Sequence, residues 1–128
     1  MEGVIVKMVT KKQMSLKDIF EKIDSIHDME RISKDEQSIN DVAIWTLTYV
    51  KYYNASFCGM HVVLTEHGQD QTAHIAVCGD VGDIFNSRNK GNRKLAKECI
   101  QKLEDCGFLV SESTLNTKES LNFDLFLE

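Results

Sequence analysis

The stretch AIWTLTYVKYY-NA-SFCGMHVVLTE-HGQD-QTAHIAVC, residues 43–78, decides the fold of this chain. It contains three runs rich in β-branched and aromatic residues, which suit the pleated surface of a β-sheet. The runs are separated by Asn54-Ala55 and by His67–Asp70, and Asn, Gly and Asp favour tight turns. The pattern therefore predicts three antiparallel strands joined by two short turns.

The registers of the two predicted hairpins follow from the turns. A turn at Asn54-Ala55 pairs Trp45 with Leu64, and a turn at Gln69-Asp70 pairs Leu64 with Ile75 and Val62 with Val77. A slip of one residue would move a strand's whole apolar set to the other face, so the agreement of two separate turns supports this pairing. The predicted apolar face comprises Trp45, Leu47, Tyr49, Met60, Val62, Leu64, Ala73, Ile75 and Val77.

The opposite face of the predicted sheet is poor in charge. Such a face is either solvated or covered, by terminal segments or by a second subunit. We expect self-association. The face comprises Thr46, Thr48, Val50, His61, Val63, Thr65, His74, Ala76 and Cys78.

The residues before the central stretch predict a strand and a helix. Gly3–Thr10 is dominated by β-branched residues. Ser15 is a suitable N-cap for an amphipathic helix over Leu16–His27, since apolar residues follow it at helical spacing. Residues 28–40 alternate in charge without a clear apolar pattern; Ser33-x-x-Glu36 could begin a short helix, and Ile32 could equally lie in an edge strand. We expect a solvated loop with a possible single turn there.

The residues after the central stretch predict a second helix and two strands. The helix ends near Cys106, with Gly107 as the residue that terminates it. Phe108–Ser113 is β-like, and Leu121–Leu127 alternates apolar and polar residues as a half-buried strand does. The order β-α-β-β-β-α-β-β predicts one α+β domain over residues 1–128. We expect a two-layer sandwich, with both helices on one face of a mainly antiparallel sheet.

Composition excludes several classes of partner. Acidic residues outnumber basic ones by 20 to 15, which disfavours duplex nucleic acid because its affinity comes largely from neutralised phosphates. The uncharged run Tyr52–Thr65 is too short and too polar to span a bilayer. The start, Met-Glu-Gly, lacks the features of a secretory signal, and we expect a cytoplasmic protein without a membrane partner.

Metal and nucleophile chemistry receive little support. His61, His74 and Cys78 share a predicted face, and all three types bind zinc. However, the predicted register opposes His61 to Cys78 and His74 to Thr65, so the three need not converge. A thiolate–imidazole pair of Cys78 and His61 would lack a third, orienting group. No metal, cofactor or catalytic residue is predicted.

One loop has the composition of an anion site. Glycines allow backbone N–H groups to converge without Cβ clashes, and the loop leads into a helix N-terminus, which favours negative charge. It also carries a dense basic cluster, although Asp80 and Asp83 oppose an anion and no phosphate-loop pattern is matched. The predicted ligand-binding residues are Gly79, Gly82, Arg88, Lys90, Arg93 and Lys94.

The middle third of the chain resembles a family of small uncharacterised proteins of Gram-positive bacteria, known as a domain of unknown function. The resemblance rests on residues 48–53 (TYVKYY), on Val62-Val63-Leu64, and on the glycines of residues 79–82 before Ile84-Phe85. Val50 stands where that family usually has an acid, and Asp80-Val81 interrupts its glycine cluster. The resemblance implies a small bacterial α+β domain and no catalytic activity.

No motif fixes a reaction, so the sequence leaves open whether the protein is an enzyme. Its leading interpretation is a non-catalytic binding or interaction module that forms a homo-oligomer. The alternative is a domain that binds an anion or phosphate ligand, or a small enzyme, through the loop Gly79–Lys94.

Overall fold

The computed structural model describes residues 3–53, 56–79 and 90–116. Within these residues the elements, in chain order, are β1 (Val4–Lys11), α1 (Leu16–Asp24), β2 (Met29–Ile39), β3 (Val42–Tyr53), β4 (Ser56–His67), β5 (Asp70–Gly79), α2 (Lys90–Glu104), β6 (Leu109–Ser113) and a 3-10 turn (Thr114–Asn116). The predicted strand Leu121–Leu127 and the predicted turn Asn54-Ala55 lie outside the described residues.

The described strands form one six-stranded sheet in the order β2-β3-β4-β5-β1-β6, and every pairing is antiparallel. Both helices pack on one face of this sheet, where their apolar residues meet those of β3, β4, β5 and β1. The predicted α+β class, with two helices on one face of an antiparallel sheet, is confirmed. Neither described helix has the length and apolar character needed to cross a bilayer.

The predicted register of β3 and β4 is confirmed. Trp45 lies opposite Leu64, Leu47 opposite Val62, and Tyr49 opposite Met60. The alternate residues of these strands lie on the helix-covered face, and Leu47, Val62 and Leu64 are fully buried there. Trp45 is only half-buried, because it lies next to the edge strand β2, where its ring contacts Phe20 at a centroid distance of 6.1 Å.

The predicted register of β4 and β5 is wrong by two residues. Leu64 lies opposite Ala73, and Val62 lies opposite Ile75. The turn is Gly68-Gln69, with Gly68 at a φ of 61°, a conformation that glycine adopts at little cost. Moving the turn by one residue shifts the register by two, an even number, so the same side chains still face the helices.

The prediction of a loop over residues 28–40 is wrong. Residues 29–39 form the edge strand β2, which joins β3 through a two-residue turn with positive φ at both Asn40 and Asp41. Positive φ at both positions is typical of the tight hairpin turn that matches strand twist. Ile32 occupies a bulge between Arg31 and Ser33.

Capping interactions mark the start of α1 and the end of α2. Ser15 Oγ accepts a hydrogen bond from the Asp18 backbone N–H at 3.1 Å, as predicted for the start of α1. That helix ends at Asp24, three residues before the predicted end. After α2, Gly107 has a φ of 98° and Phe108 N–H donates to the Leu103 carbonyl at 3.0 Å, which is the predicted glycine termination.

The hydrophobic core lies between the sheet and the two helices. Burial of these side chains stabilises the fold by roughly 25 cal/mol for each Å² of apolar surface removed from water. The buried helical side chains are Leu16, Ile19, Phe20 and Ile23 of α1 and Leu95, Ala96, Cys99 and Leu103 of α2. The sheet face that they leave uncovered is called the open face below.

Candidate interaction surface

The open face carries residues from all six strands, arranged in rows across the sheet. One row runs from Asp35 through Thr46, Val63 and His74 to Lys7. Among the described residues, the middle of this row carries Thr46 and Val63, whereas its two ends carry the charged residues Asp35 and Lys7. The low charge predicted for the central strands therefore does not extend to the outer strands of the open face.

Exposed apolar side chains are concentrated on the open face. In the described part of the chain, seven large apolar side chains are exposed, and the register places six of them on this face. The seventh is Ile32, in the bulge of β2. The six are Ile5, Val9, Ile39, Tyr52, Phe57 and Leu109.

Two aromatic residues define one end of this surface, called the aromatic end. Tyr52 of β3 lies opposite Phe57 of β4, and their ring centroids are 6.3 Å apart at an interplanar angle of 48°. Tyr52 is 65% exposed and Phe57 is 44% exposed. Large aromatic side chains of this kind supply much of the contact energy in protein interfaces.

A groove marks the other end, where β5, β1 and β6 lie side by side. Its volume is about 520 Å³, and it is open to solvent. Lys7 lies opposite His74 on one side and opposite Glu112 on the other. This β1 groove is lined by Ile5, Lys7, His74, Glu112, Ser113 and Thr114.

The histidines and the exposed cysteine do not form the predicted pairs. His61 lies opposite Ala76, Cys78 opposite Gly59, and His74 opposite Val63, because the register differs by two residues from the predicted one. His61 Nδ1 instead lies 3.1 Å from the Thr48 hydroxyl. Among the described residues, no group of three or more His, Cys, Asp or Glu side chains is arranged to hold a metal ion.

Three of the four thiols lie in the core. Burial raises the pKa of Cys58 and Cys106, and it raises the pKa of Cys99 from 9.0 to about 12. A thiol with a raised pKa is largely protonated at neutral pH and is a poor nucleophile. Cys78 differs, since it is exposed on the open face.

The predicted anion site is only partly within the described residues. Gly79 ends β5, and the first turns of α2 contain Lys90, Arg93 and Lys94. The other two predicted residues, Gly82 and Arg88, lie outside the described ranges. The structure therefore brings part of the predicted set to one end of α2.

Gly79 has a packing role that the sequence did not reveal. A Cβ at this position would lie 2.7 Å from the Asn92 side-chain oxygen, 2.7 Å from the Phe57 carbonyl oxygen and 2.9 Å from Cys58 Sγ. Any side chain here would therefore push α2 away from β4 and β5. The glycine allows close approach of helix and sheet, which is one established use of the residue.

Sequence reasoning missed that Lys7 lies between His74 and Glu112 in the sheet. The signal was parity: Lys7 alternates with apolar residues in β1, which identifies the side of the strand that it occupies. The strands that pair with β1 were not predictable from this alternation. β1 pairs with β5, which is distant in sequence, and with β6, which lies near the end of the described chain.

No protein-family model matches this chain, and no curated protein matches it. The resemblance to Gram-positive bacterial proteins therefore stays a prediction.

Among solved structures, the chain is similar to a Pseudomonas aeruginosa protein of unknown function described as a putative regulator. The identity is 10% and the TM-score 0.44, over 76% of this chain and 80% of that one. A conserved Geobacillus kaustophilus protein gives 10% identity and a TM-score of 0.40, over 81% and 93%. LpqN, involved in cell envelope biogenesis of Mycobacterium tuberculosis, gives 6% and 0.39, over 77% and 60%. With every TM-score below 0.5, none of them indicates a function for this chain.

Proposed function

We propose that this protein is a non-catalytic interaction module that associates with a second copy of itself through the open face of its sheet. The observation that supports this most strongly is the location of the exposed large apolar side chains: of the seven in the described part of the chain, six lie on that one face. Scattered apolar residues are normal on a protein surface, whereas a concentration on one face is typical of an interface.

The edges of the sheet favour contact through the face rather than through strand addition. β2 is the longer edge, but it carries Glu30, Arg31, Lys34, Asp35 and Glu36 and is interrupted by a bulge. Charges and bulges are the features by which natural sheets prevent edge-to-edge pairing. β6, the other edge, is only five residues long.

A face-to-face contact also suits a symmetric dimer. In a two-fold dimer the same patch on both copies is self-complementary, and an uncharged patch avoids like-charge repulsion across the axis. The centre of the open face carries Thr48, Val63 and Ala76, with His61 between Thr48 and Ala76 and with the aromatic end to one side. These central residues include no Lys, Arg, Asp or Glu. Burying each large apolar side chain contributes about 1.5–3 kcal/mol.

Sedimentation equilibrium over a concentration series tests this proposal. The apparent mass is expected to rise from 14.6 kDa towards twice that value as the protein concentration increases through the micromolar range. A constant mass of 14.6 kDa at every concentration would exclude self-association.

A second candidate function is binding of a small anion, such as phosphate, where β5 gives way to α2. The observation that favours it is the charge of the helix start: the first turns of α2 carry Lys90, Arg93 and Lys94, and its first turn carries no acidic residue. A helix N-terminus also presents backbone N–H groups and a partial positive charge.

A further inference from the structure

Three polar side chains lie side by side in the β1 groove. The register places His74 of β5, Lys7 of β1 and Glu112 of β6 in one row across three neighbouring strands. Facing residues of antiparallel strands have Cβ atoms about 4.5–5.5 Å apart, so the row spans roughly 10 Å. All three residues line the groove, and its volume of about 520 Å³ is within the range of small-molecule sites.

None of these three side chains forms a hydrogen bond or an ion pair with the part of the chain that the structure describes. Lys7 is half-buried, whereas His74 and Glu112 are exposed. Lys7 and Glu112 lie directly opposite each other, yet their charged groups form no ion pair. Within the described residues, the groove therefore presents an ammonium group and a carboxylate that are both available to a ligand.

A β-bulge lies beside the centre of this row. The register of β1 and β6 shifts between Lys7 and Met8, with Ser111 as the additional residue of β6. The Ser111 hydroxyl donates to the Lys7 carbonyl oxygen at 3.2 Å. Bulges change the direction of neighbouring side chains, and they are over-represented next to active sites. The bulge thus lies at the residue whose ammonium group is available.

Two hydroxyl groups beside the row retain a proton that they can donate. Ser113 Oγ accepts the Leu115 backbone N–H at 2.9 Å. Thr114 Oγ1 accepts the Ile5 backbone N–H at 2.9 Å. A hydroxyl oxygen that accepts such a bond still carries its own hydrogen. Because Ser113 and Thr114 line the groove, it offers O–H donors in addition to the Lys7 ammonium.

These groups favour a ligand that carries charges of both signs. A simple carboxylate would pair with Lys7 but would be repelled by Glu112, and a simple amine would pair with Glu112 but would be repelled by Lys7. A molecule with both a carboxylate and an ammonium group gives each charge an opposite partner, at a place where partial shielding strengthens the attraction. Ile5, which is 61% exposed, adds an apolar contact in the same groove.

We propose that the β1 groove binds a free amino acid with an apolar side chain. The Lys7 ammonium binds the carboxylate of the ligand, Glu112 binds its ammonium group, and Ile5 contacts its side chain. The groove is formed by β5, β1 and β6, whereas the aromatic end belongs to β3 and β4. This binding does not depend on the proposed self-association.

Titration of the full chain with L-leucine, followed by the NMR shifts of the backbone amides, tests the proposal. We expect saturable shifts that are concentrated in β5, β1 and β6. Two further probes match leucine closely: isocaproate lacks only the ammonium group, and isoamylamine lacks only the carboxylate. Each is expected to bind about tenfold more weakly than leucine, because each leaves one charged group of the groove without its partner.

Two substitutions assign the charged groups of the ligand to their partners. Glu112→Gln is expected to weaken leucine binding about tenfold and to leave isocaproate binding no weaker. Lys7→Met is expected to weaken the binding of leucine and isocaproate, and not that of isoamylamine. The matched controls, Lys17→Met and Glu21→Gln, remove the same charges from exposed positions of α1 and are expected to leave all three affinities unchanged.

The absence of saturable shifts with leucine, or shifts concentrated outside β5, β1 and β6, would overturn the proposal. Equal affinities for leucine and isocaproate would also overturn it, as would a leucine affinity that Glu112→Gln leaves unchanged. Self-association is measured separately as a mass, so either proposal can fail without the other.

Discussion

Lys51 of β3 and Glu98 of α2 form an ion pair at the margin of the core. The Lys51 ammonium lies 2.9 Å from Glu98 Oε1 and 3.1 Å from Oε2, and only 9% of the Lys51 side chain is exposed. The pair therefore joins the sheet to the second helix through a largely desolvated charge.

We expect substitution of Glu98 and substitution of Lys51 to lower the free energy of unfolding by different amounts. Glu98→Gln leaves a buried ammonium without this counter-charge and should lower the free energy of unfolding by about 1.5–3 kcal/mol. Lys51→Met removes the buried charge itself and should cost less, because the apolar side chain fits the same environment. Urea unfolding of both variants measures the difference, and equal losses would contradict this account. Asp70→Asn, which removes the exposed negative charge that pairs with Lys11, is the control and should have a much smaller effect.

Neighbouring residues of β4 lie on opposite faces of the sheet, so we expect their truncation to alanine to have different effects on stability. Leu64→Ala removes a fully buried side chain and should lower the free energy of unfolding by about 2–5 kcal/mol. Val63→Ala, on the open face, should cost clearly less in the monomer. The fluorescence of Trp45, the single tryptophan, reports unfolding in both variants. Similar losses at the two positions would show that the open face is packed as tightly as the core.

The buried thiol of Cys99 predicts a loss of stability at alkaline pH. Its pKa is raised from 9.0 to about 12 by burial. Above the ordinary thiol pKa the unfolded chain releases this proton while the folded chain retains it, so the contribution of Cys99 to stability falls as the pH rises from about 9 to about 12 and is constant at lower pH. Burial also raises the pKa of Cys58, Cys106 and Tyr49, which adds to the fall in the same direction.

The contribution of Cys99 can be isolated by substitution. Cys99→Ala should make the fall in urea midpoint between pH 8 and pH 10.5 shallower than in the wild type, on the argument of linked protonation. A fall of the same steepness in both proteins would show that Cys99 does not contribute.

The central hairpin was predictable because its information is local. Two runs of β-forming residues, separated by a short polar gap, determine both strand pairing and the face that Leu47 and Val62 occupy. For the second hairpin, the predicted faces of the strands were right and the predicted register was wrong. The choice between Gly68-Gln69 and Gln69-Asp70 as the turn depends on which residue takes a positive φ.

β2 was not predictable from its own residues. It lies at the edge of the sheet, and apart from Met29 its side chains are exposed, so its sequence shows no alternation of apolar and polar residues. The usable signal was at its end, where Asn40-Asp41 are both residues that tolerate positive φ. The β1 groove was hidden for a different reason: its residues come from β5, β1 and β6, which meet only in the folded sheet.

The predicted anion site leads to a binding experiment. Phosphate bound at the start of α2 is expected to raise the midpoint of thermal unfolding, and Arg88→Ala, Lys90→Ala should reduce that shift because it removes two cationic groups from the loop and helix start. The control Lys11→Ala, Lys12→Ala removes two cations at another place and should leave the shift unchanged. Equal shifts in all three proteins, or no shift in any, would remove this site from consideration.

We expect the open face to carry the self-association and the aromatic end to be part of the contact. Tyr52 and Phe57 lie on that face, whereas Ile32, which is 57% exposed, lies in the bulge of β2. Replacing each exposed apolar side chain by lysine adds a charge that opposes burial, but only where the side chain is buried in the dimer.

The most direct test is sedimentation equilibrium, at one micromolar-range concentration, of the wild type, the Tyr52→Lys, Phe57→Lys variant and the Ile32→Lys control. We expect a mass near twice 14.6 kDa for the wild type and for the control, and a mass of 14.6 kDa for the double variant. A wild-type mass of 14.6 kDa, or a double variant that remains as associated as the wild type, would contradict this expectation.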